Sequence, residues 1–175
     1  MVNTTKNALT AAVRALDEVI IPAIDPGHPL ALEQARIVSK LIAQLEGRLD
    51  YYYDRIRFQL HHYVSLGREL ATDAPTVSSE IADALVSASS EGQRLLGEPG
   101  AKAPDLEAAA ERLAGVISAL VRATATTDSA TRDRVERTIL IASEPILDAQ
   151  RAWFLPQGWE PDPSKVPPIE TAFAL

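Results

Sequence analysis

Apolar residues recur at steps of three and four along most of the chain, which is the period of one face of a helix. The period persists within five segments, and no stretch alternates apolar and polar residues for more than a few positions, as a strand would. An all-α fold is expected, as an up-and-down bundle of four main helices preceded by an N-terminal helix. The five predicted helices cover residues 4–21, 29–72, 76–96, 104–124 and 129–155.

The second predicted helix is unusually long. It begins at Pro29, which suits a first helical turn, and its apolar stripe keeps the helical period as far as Leu70. The sequence therefore predicts one continuous helix over residues 29–72. Gly47 lies nearly opposite the stripe and permits a break without requiring one. In the last helix, Pro145 predicts a kink.

The last twenty residues, 156–175, differ from the rest of the chain. They contain five prolines, which is too many for a helix, but also apolar residues such as Trp159, Val166 and Phe173 that a free tail would not need. The sequence predicts an extended Pro-rich arm, packed on its own subunit or on a neighbouring one. The helical bundle domain would then cover residues 1–155.

Charge and composition exclude several classes of function. The net charge is −7, and the 17 basic residues form no run, so neither nucleic acid nor an anionic membrane is an expected partner. The absence of cysteine excludes disulfides and thiolate chemistry. No stretch of 18 uncharged apolar residues occurs, and charged residues interrupt segment 1–24 where a signal peptide would be apolar, which predicts a cytoplasmic location.

No motif for a cofactor or a metal ion is present. The chain lacks a phosphate-binding glycine loop and a Gly-x-Ser-x-Gly turn. A carboxylate-bridged metal pair in a bundle needs Glu-x-x-His, and no glutamate stands three residues before His61 or His62. We therefore expect no cofactor and no metal.

The most distinctive stretch is DYYYDRIRFQLHHY, residues 50–63, which holds five of the nine aromatic residues. Asp54, Arg57 and His61 lie together on one flank of the predicted helix. One interpretation is catalytic: Asp54 orients the imidazole of His61 for acid–base work, and Arg57 holds an anionic substrate. The other, favoured interpretation is a solvated face of ion pairs at helical spacing.

A second line of side chains lies outside the main apolar stripe and needs burial of its own. Two interpretations stay open: the line is covered within its own domain, or it is a self-association surface, since Tyr, Phe and Arg are enriched at interfaces. Ile37 and Leu41 extend it towards the N-terminus. The predicted interface residues are Tyr51, Arg55, Phe58, His62 and Leu66.

The leading functional hypothesis is a helical protein without catalytic activity that acts through self-association or through a protein partner. It rests on the second line, on the apolar residues of the arm and on the missing catalytic signature. The alternative is a small enzyme or ligand-binding bundle with a pocket near His61, Asp54 and Arg57 for a small anionic or aromatic compound.

Overall fold

The computed structural model describes residues 4–175, and all regular secondary structure in that range is helical. No strand occurs among these residues, which confirms the all-α prediction. The first three residues, part of the segment considered as a signal peptide, lie outside the described range. The α-helices are α1 Thr4–Ala15, α2 Ile21–Ala23, α3 Pro29–Arg48, α4 Tyr52–Leu70, α5 Ala74–Val77, α6 Ser79–Gly97, α7 Ala103–Ala123, α8 Ser129–Phe154 and α9 Ile169–Ala172.

The chain divides into two compact units. The first unit contains residues 4–52 together with Trp153–Lys165, and the second contains Tyr53–Ala152 together with Val166–Leu175. The first unit therefore holds α1, α2 and α3, and the second holds α5, α6, α7, α9 and most of α4 and α8. Each unit has its own stabilising contacts.

In the first unit, α1 packs along α3 as a helical hairpin. A π-helical turn, Leu16–Ile20, follows α1, and its Asp17 accepts a hydrogen bond of 2.6 Å from the hydroxyl of the buried Ser39 on α3. Farther along the hairpin, the Lys6 ammonium lies 2.9 Å from the Asp50 carboxylate. Two polar contacts thus hold the hairpin together at separate points.

The second unit has the apolar core of the protein. Leucines of α4, α6 and α7 fill it. A short loop joins α6 to α7, and the two helices pack along each other. Close approach of α4 to α6 depends on Gly92, where an added Cβ would lie 2.6 Å from a methyl group of Val64. The side chains without any solvent exposure include Leu60, Leu85, Leu106, Leu113 and Leu120.

The prediction of one continuous helix over residues 29–72 is wrong. A 3₁₀ turn, Leu49–Tyr51, separates α3 from α4, and Arg48 has left the ideal helical geometry with φ −110° and ψ −7°. Glycine at position 47 and three consecutive tyrosines are all poor helix formers. The side chain of Arg48 also donates a hydrogen bond to the carbonyl of Trp153 at 3.2 Å, a contact that local sequence does not encode.

Smaller differences from the predicted boundaries have local causes. Helical structure continues past Pro22 to Ala23, because the π turn precedes this proline. The predicted helix 76–96 is divided at Ser78, which is extended and whose hydroxyl accepts the N–H of Ile81 at the start of α6.

The C-terminal residues 156–175 contain short turns instead of a long helix. The 3₁₀ turns Leu155–Gln157 and Pro163–Lys165 are followed by the four-residue α9. Val166 and Phe173 are buried, whereas Trp159 is the most exposed large apolar residue described, at 81%. The segment is therefore partly packed and partly open to solvent.

Candidate functional site

The predicted catalytic flank lies on the outer side of α4. The side chains of Asp54 and His61 are exposed, and no hydrogen bond joins them within residues 4–175. The Arg57 guanidinium donates instead to the carbonyl of Leu96 at 3.2 Å, in the last turn of α6. The structure therefore does not join the three side chains by hydrogen bonds, and their catalytic role stays a prediction.

A second polar contact ties the start of α4 to the connection between α6 and α7. The phenol of Tyr53 donates a hydrogen bond of 2.9 Å to the carbonyl of Ala101. Arg57 thus satisfies a carbonyl in the last turn of a helix, where helical partners are lacking, and Tyr53 satisfies a carbonyl in the loop between two helices. These two side chains of the aromatic stretch have a structural role in the second unit.

His62 differs from its neighbour His61 in environment. Its imidazole is half-buried and packs edge-on against Tyr63, with ring centroids 5.6 Å apart. Burial lowers the pKa of His62 below its ordinary value, and the charge of His61 acts in the same direction. The shift favours the neutral imidazole, and His62 belongs to the packing of α4.

The C-terminal half of the second line is covered by the chain itself. Leu66 is a core residue, and the ring of Phe58 meets Phe173 edge to face at 5.9 Å. Arg55 and Phe58 also line a crevice of about 20 Å³ with Ile146 on α8. The sequence left open whether the second line is covered within its own domain or forms a self-association surface. Phe58 and Leu66 are covered within their own domain.

The N-terminal extension of the same line has the opposite environment. Five large apolar side chains of α3 have exposed fractions between 42 and 68%. At 100° per residue they lie within an arc of about 100° and form one surface, here called the α3 face. The α3 face consists of Leu30, Ile37, Val38, Leu41 and Leu45.

The first unit has almost no apolar interior. Ser39 is the one buried residue among residues 4–52, and the apolar residues of α1 are at best half-buried. In the other piece of this unit, Trp153–Lys165, only Trp153 is buried. The sequence analysis included Ile37 and Leu41 in the second line, but it did not identify Leu30, Val38 and Leu45 as surface residues. Apolar residues occur on more sides of α3 than α1 covers.

A pocket of about 350 Å³ lies beside the α3 face, within the first unit. One wall is α3, and the other is the segment around the 3₁₀ turn Leu155–Gln157. The side-chain amide of Gln157 donates to that of Gln44 at 2.8 Å and joins the two walls. The lining includes Ile37, Lys40, Leu41, Pro156 and Trp159. The one sequence feature that could have indicated this pocket is Trp159, a large apolar residue in a Pro-rich segment.

Comparison with protein-family models, with curated proteins and with solved structures finds no match to this chain. Within residues 4–175, no helix combines the length and the apolar character that crossing a bilayer requires. The same residues contain no cluster of three side chains suited to hold a metal ion.

Proposed function

We propose that this is a helical protein without catalytic activity that assembles with a second copy of itself through the α3 face. The observation that carries the proposal is the contrast within the first unit. Five large apolar side chains of one helix face solvent, while the hairpin beneath them buries almost no apolar side chain. Exposed apolar side chains that share one side of a helix mark an interaction site, whereas scattered exposed leucines are ordinary.

Helical hairpins need a packed apolar face for stability. Isolated helices of about 12–15 residues are marginal in water, and most helical stability in proteins comes from tertiary packing. Here α1 has 12 residues and α3 has 20, and little of their apolar surface is buried within the hairpin. Covering the α3 face with the same face of another chain would supply the missing core.

Charge supports a second copy as the partner. Residues 4–52 contain five basic and six acidic residues, although the whole chain has 17 basic and 24 acidic ones. Like-charged proteins repel where their charge is concentrated, and the hairpin carries very little of the net charge. Two identical hairpins can therefore approach with little electrostatic cost.

The test is sedimentation equilibrium of three proteins over a range of concentrations. Wild type is expected to form a dimer or a larger assembly at micromolar concentration. Leu45→Asp places a charge in the α3 face and should weaken assembly at least tenfold, because burying an unpaired carboxylate is costly. Leu140→Asp is the matched control: Leu140 is 73% exposed on α8, outside the α3 face, and its replacement should leave the mass unchanged. A monomeric wild type at high micromolar concentration would overturn the proposal.

The proposal also includes the finer architecture predicted from the sequence. Helices α4, α6, α7 and α8 form the up-and-down bundle, and residues 156–175 act as an arm packed on their own chain. The burial of Phe173 against Phe58 supports packing within the chain. A cytoplasmic location belongs to the same proposal and rests on composition alone.

The five residues predicted as an interface have a smaller part in this proposal. Phe58 and Leu66 pack within their own chain, and Tyr51, Arg55 and His62 are half-buried. We therefore propose α3 instead of α4 as the centre of assembly.

A further inference from the structure

The pocket between α3 and the Pro-rich segment has the size of a small-molecule site. Its volume of about 350 Å³ lies in the lower part of the range of about 300–1,000 Å³ typical of ligand pockets. Its apolar lining comes from Ile37, Leu41, Pro156 and Trp159.

An aromatic ligand is favoured by Trp159. Its indole lines the pocket yet is 81% exposed, so a large ring lies open beside a concave apolar surface. Aromatic rings stack on or meet each other edge to face with a gain beyond simple area burial. Pro156 within the 3₁₀ turn and Pro161, two residues after Trp159, restrict the backbone on both sides of the indole, which lowers the entropy lost on binding.

A negative charge on the ligand is favoured by Lys40. This side chain also lines the pocket, and it makes no hydrogen bond or ion pair with any of residues 4–175. No carboxylate is among the residues lining the pocket, so no anionic side chain of the lining competes for the ammonium group. The hydrogen bond between Gln44 and Gln157 fixes the two walls at a set separation before a ligand enters.

From these three observations we infer that this pocket binds a small planar aromatic anion, with its ring against Trp159 and its acidic group beside Lys40. The inference goes beyond self-association. Ile37 and Leu41 border both the pocket and the α3 face, but Lys40 and Trp159 belong to the pocket alone.

The experiment uses two fluorescent probes of similar shape: anilinonaphthalene sulfonate, which is an anion, and N-phenylnaphthylamine, which is neutral. Each is titrated into the full chain, with probe fluorescence and quenching of Trp159 as readouts. Trp153→Phe removes the buried second tryptophan, so that the remaining indole reports on the pocket. We expect one sulfonate probe bound per chain, with quenching of Trp159.

Substitutions separate the two parts of the inference. Lys40→Met should weaken binding of the sulfonate about tenfold and that of the neutral probe less than twofold, because a hydrogen bond to a charged group is lost. Trp159→Ala should weaken both probes. Leu140→Asp removes exposed apolar surface outside the pocket and should change neither, which excludes general adsorption.

Two results would overturn the inference. Unchanged affinity for both probes in Trp159→Ala would show that the pocket is not the binding site, and equal loss of both probes in Lys40→Met would show that it does not select an anion. The titrations are repeated in a Leu45→Asp background. Leu45 is not among the residues lining the pocket, so probe binding is expected to persist in this variant even though it assembles weakly. Probe binding and self-association are therefore tested separately.

Discussion

The imidazole of His62 links the packing of α4 to pH. Its pKa lies below the ordinary value of 6.5, because burial disfavours the charged form and His61 adds a nearby positive charge, while Glu69 acts in the opposite direction. The unfolded chain therefore binds more protons than the folded chain between the two pKa values of His62. The contribution to stability is complete above pH 6.5 and is lost as the pH falls through the lower, folded pKa.

We expect His62→Gln to remove the contribution of His62 to the pH dependence of the free energy of unfolding. The free energy of unfolding, measured with urea at several pH values, should fall less steeply below pH 6.5 in the variant than in wild type. His28→Gln is the control, because that histidine is exposed and is not among the charged groups that act on His62. An identical slope in wild type and His62→Gln would show that His62 does not resist protonation in the folded state.

Residue identity alone did not distinguish structural from functional side chains on α4. In the less favoured interpretation of the sequence Arg57 holds an anionic substrate; in the structure its guanidinium donates to the carbonyl of Leu96, 39 residues away. A backbone carbonyl leaves no signature in the sequence. The helical period correctly separated His61 from His62, because that separation depends only on the angle of about 100° between successive residues.

Helix packing in the second unit depends on small residues at a few contacts. Gly92 on α6 faces α4, and an alanine Cβ there would lie 2.6 Å from Val64 and 3.1 Å from Leu60. Gly115 on α7 has no atom within 4 Å of the corresponding Cβ position. Replacement by alanine is therefore expected to change the free energy of unfolding in opposite directions at Gly92 and at Gly115.

We expect Gly92→Ala to lower the free energy of unfolding by about 1–3 kcal/mol, since an extra methyl group overpacks the contact. Gly115→Ala should raise it by about 0.5–1 kcal/mol through helix propensity. Urea unfolding of both variants measures the difference. A stabilising effect of Gly92→Ala would mean that α4 does not approach α6 as closely as described.

The helical period indicated the elements well because most of the helices have a single apolar stripe. It did not reveal the break between α3 and α4, since a 3₁₀ turn of three residues shifts the stripe by only about 60° relative to a continuous α-helix. It also did not reveal which side of α3 is covered, because α3 has apolar residues towards α1 and away from it. Coverage depends on residues distant in sequence, which no local pattern specifies.

For the whole molecule, apolar surface and charge are distributed unevenly between the two units. The second unit has a leucine core and most of the negative charge, whereas the first has a nearly neutral hairpin with an open apolar face. Self-association or binding of a protein partner was the leading prediction from the sequence. The proposed surface for self-association has moved from the aromatic stretch of α4 to α3. The central claim is that α3 of one chain lies against α3 of another.

Cysteine cross-linking tests that claim most directly, because the chain has no cysteine of its own. Val38 lies in the middle of α3, so a two-fold axis through the α3 face brings it close to the Val38 of the second copy. A disulfide needs Cα atoms about 4.4–6.8 Å apart. Under mild oxidation, Val38→Cys should run largely as a linked dimer on a non-reducing gel, and Leu140→Cys should remain a monomer. Equal cross-linking of the two variants, or faster cross-linking of Leu140→Cys, would contradict assembly through the α3 face.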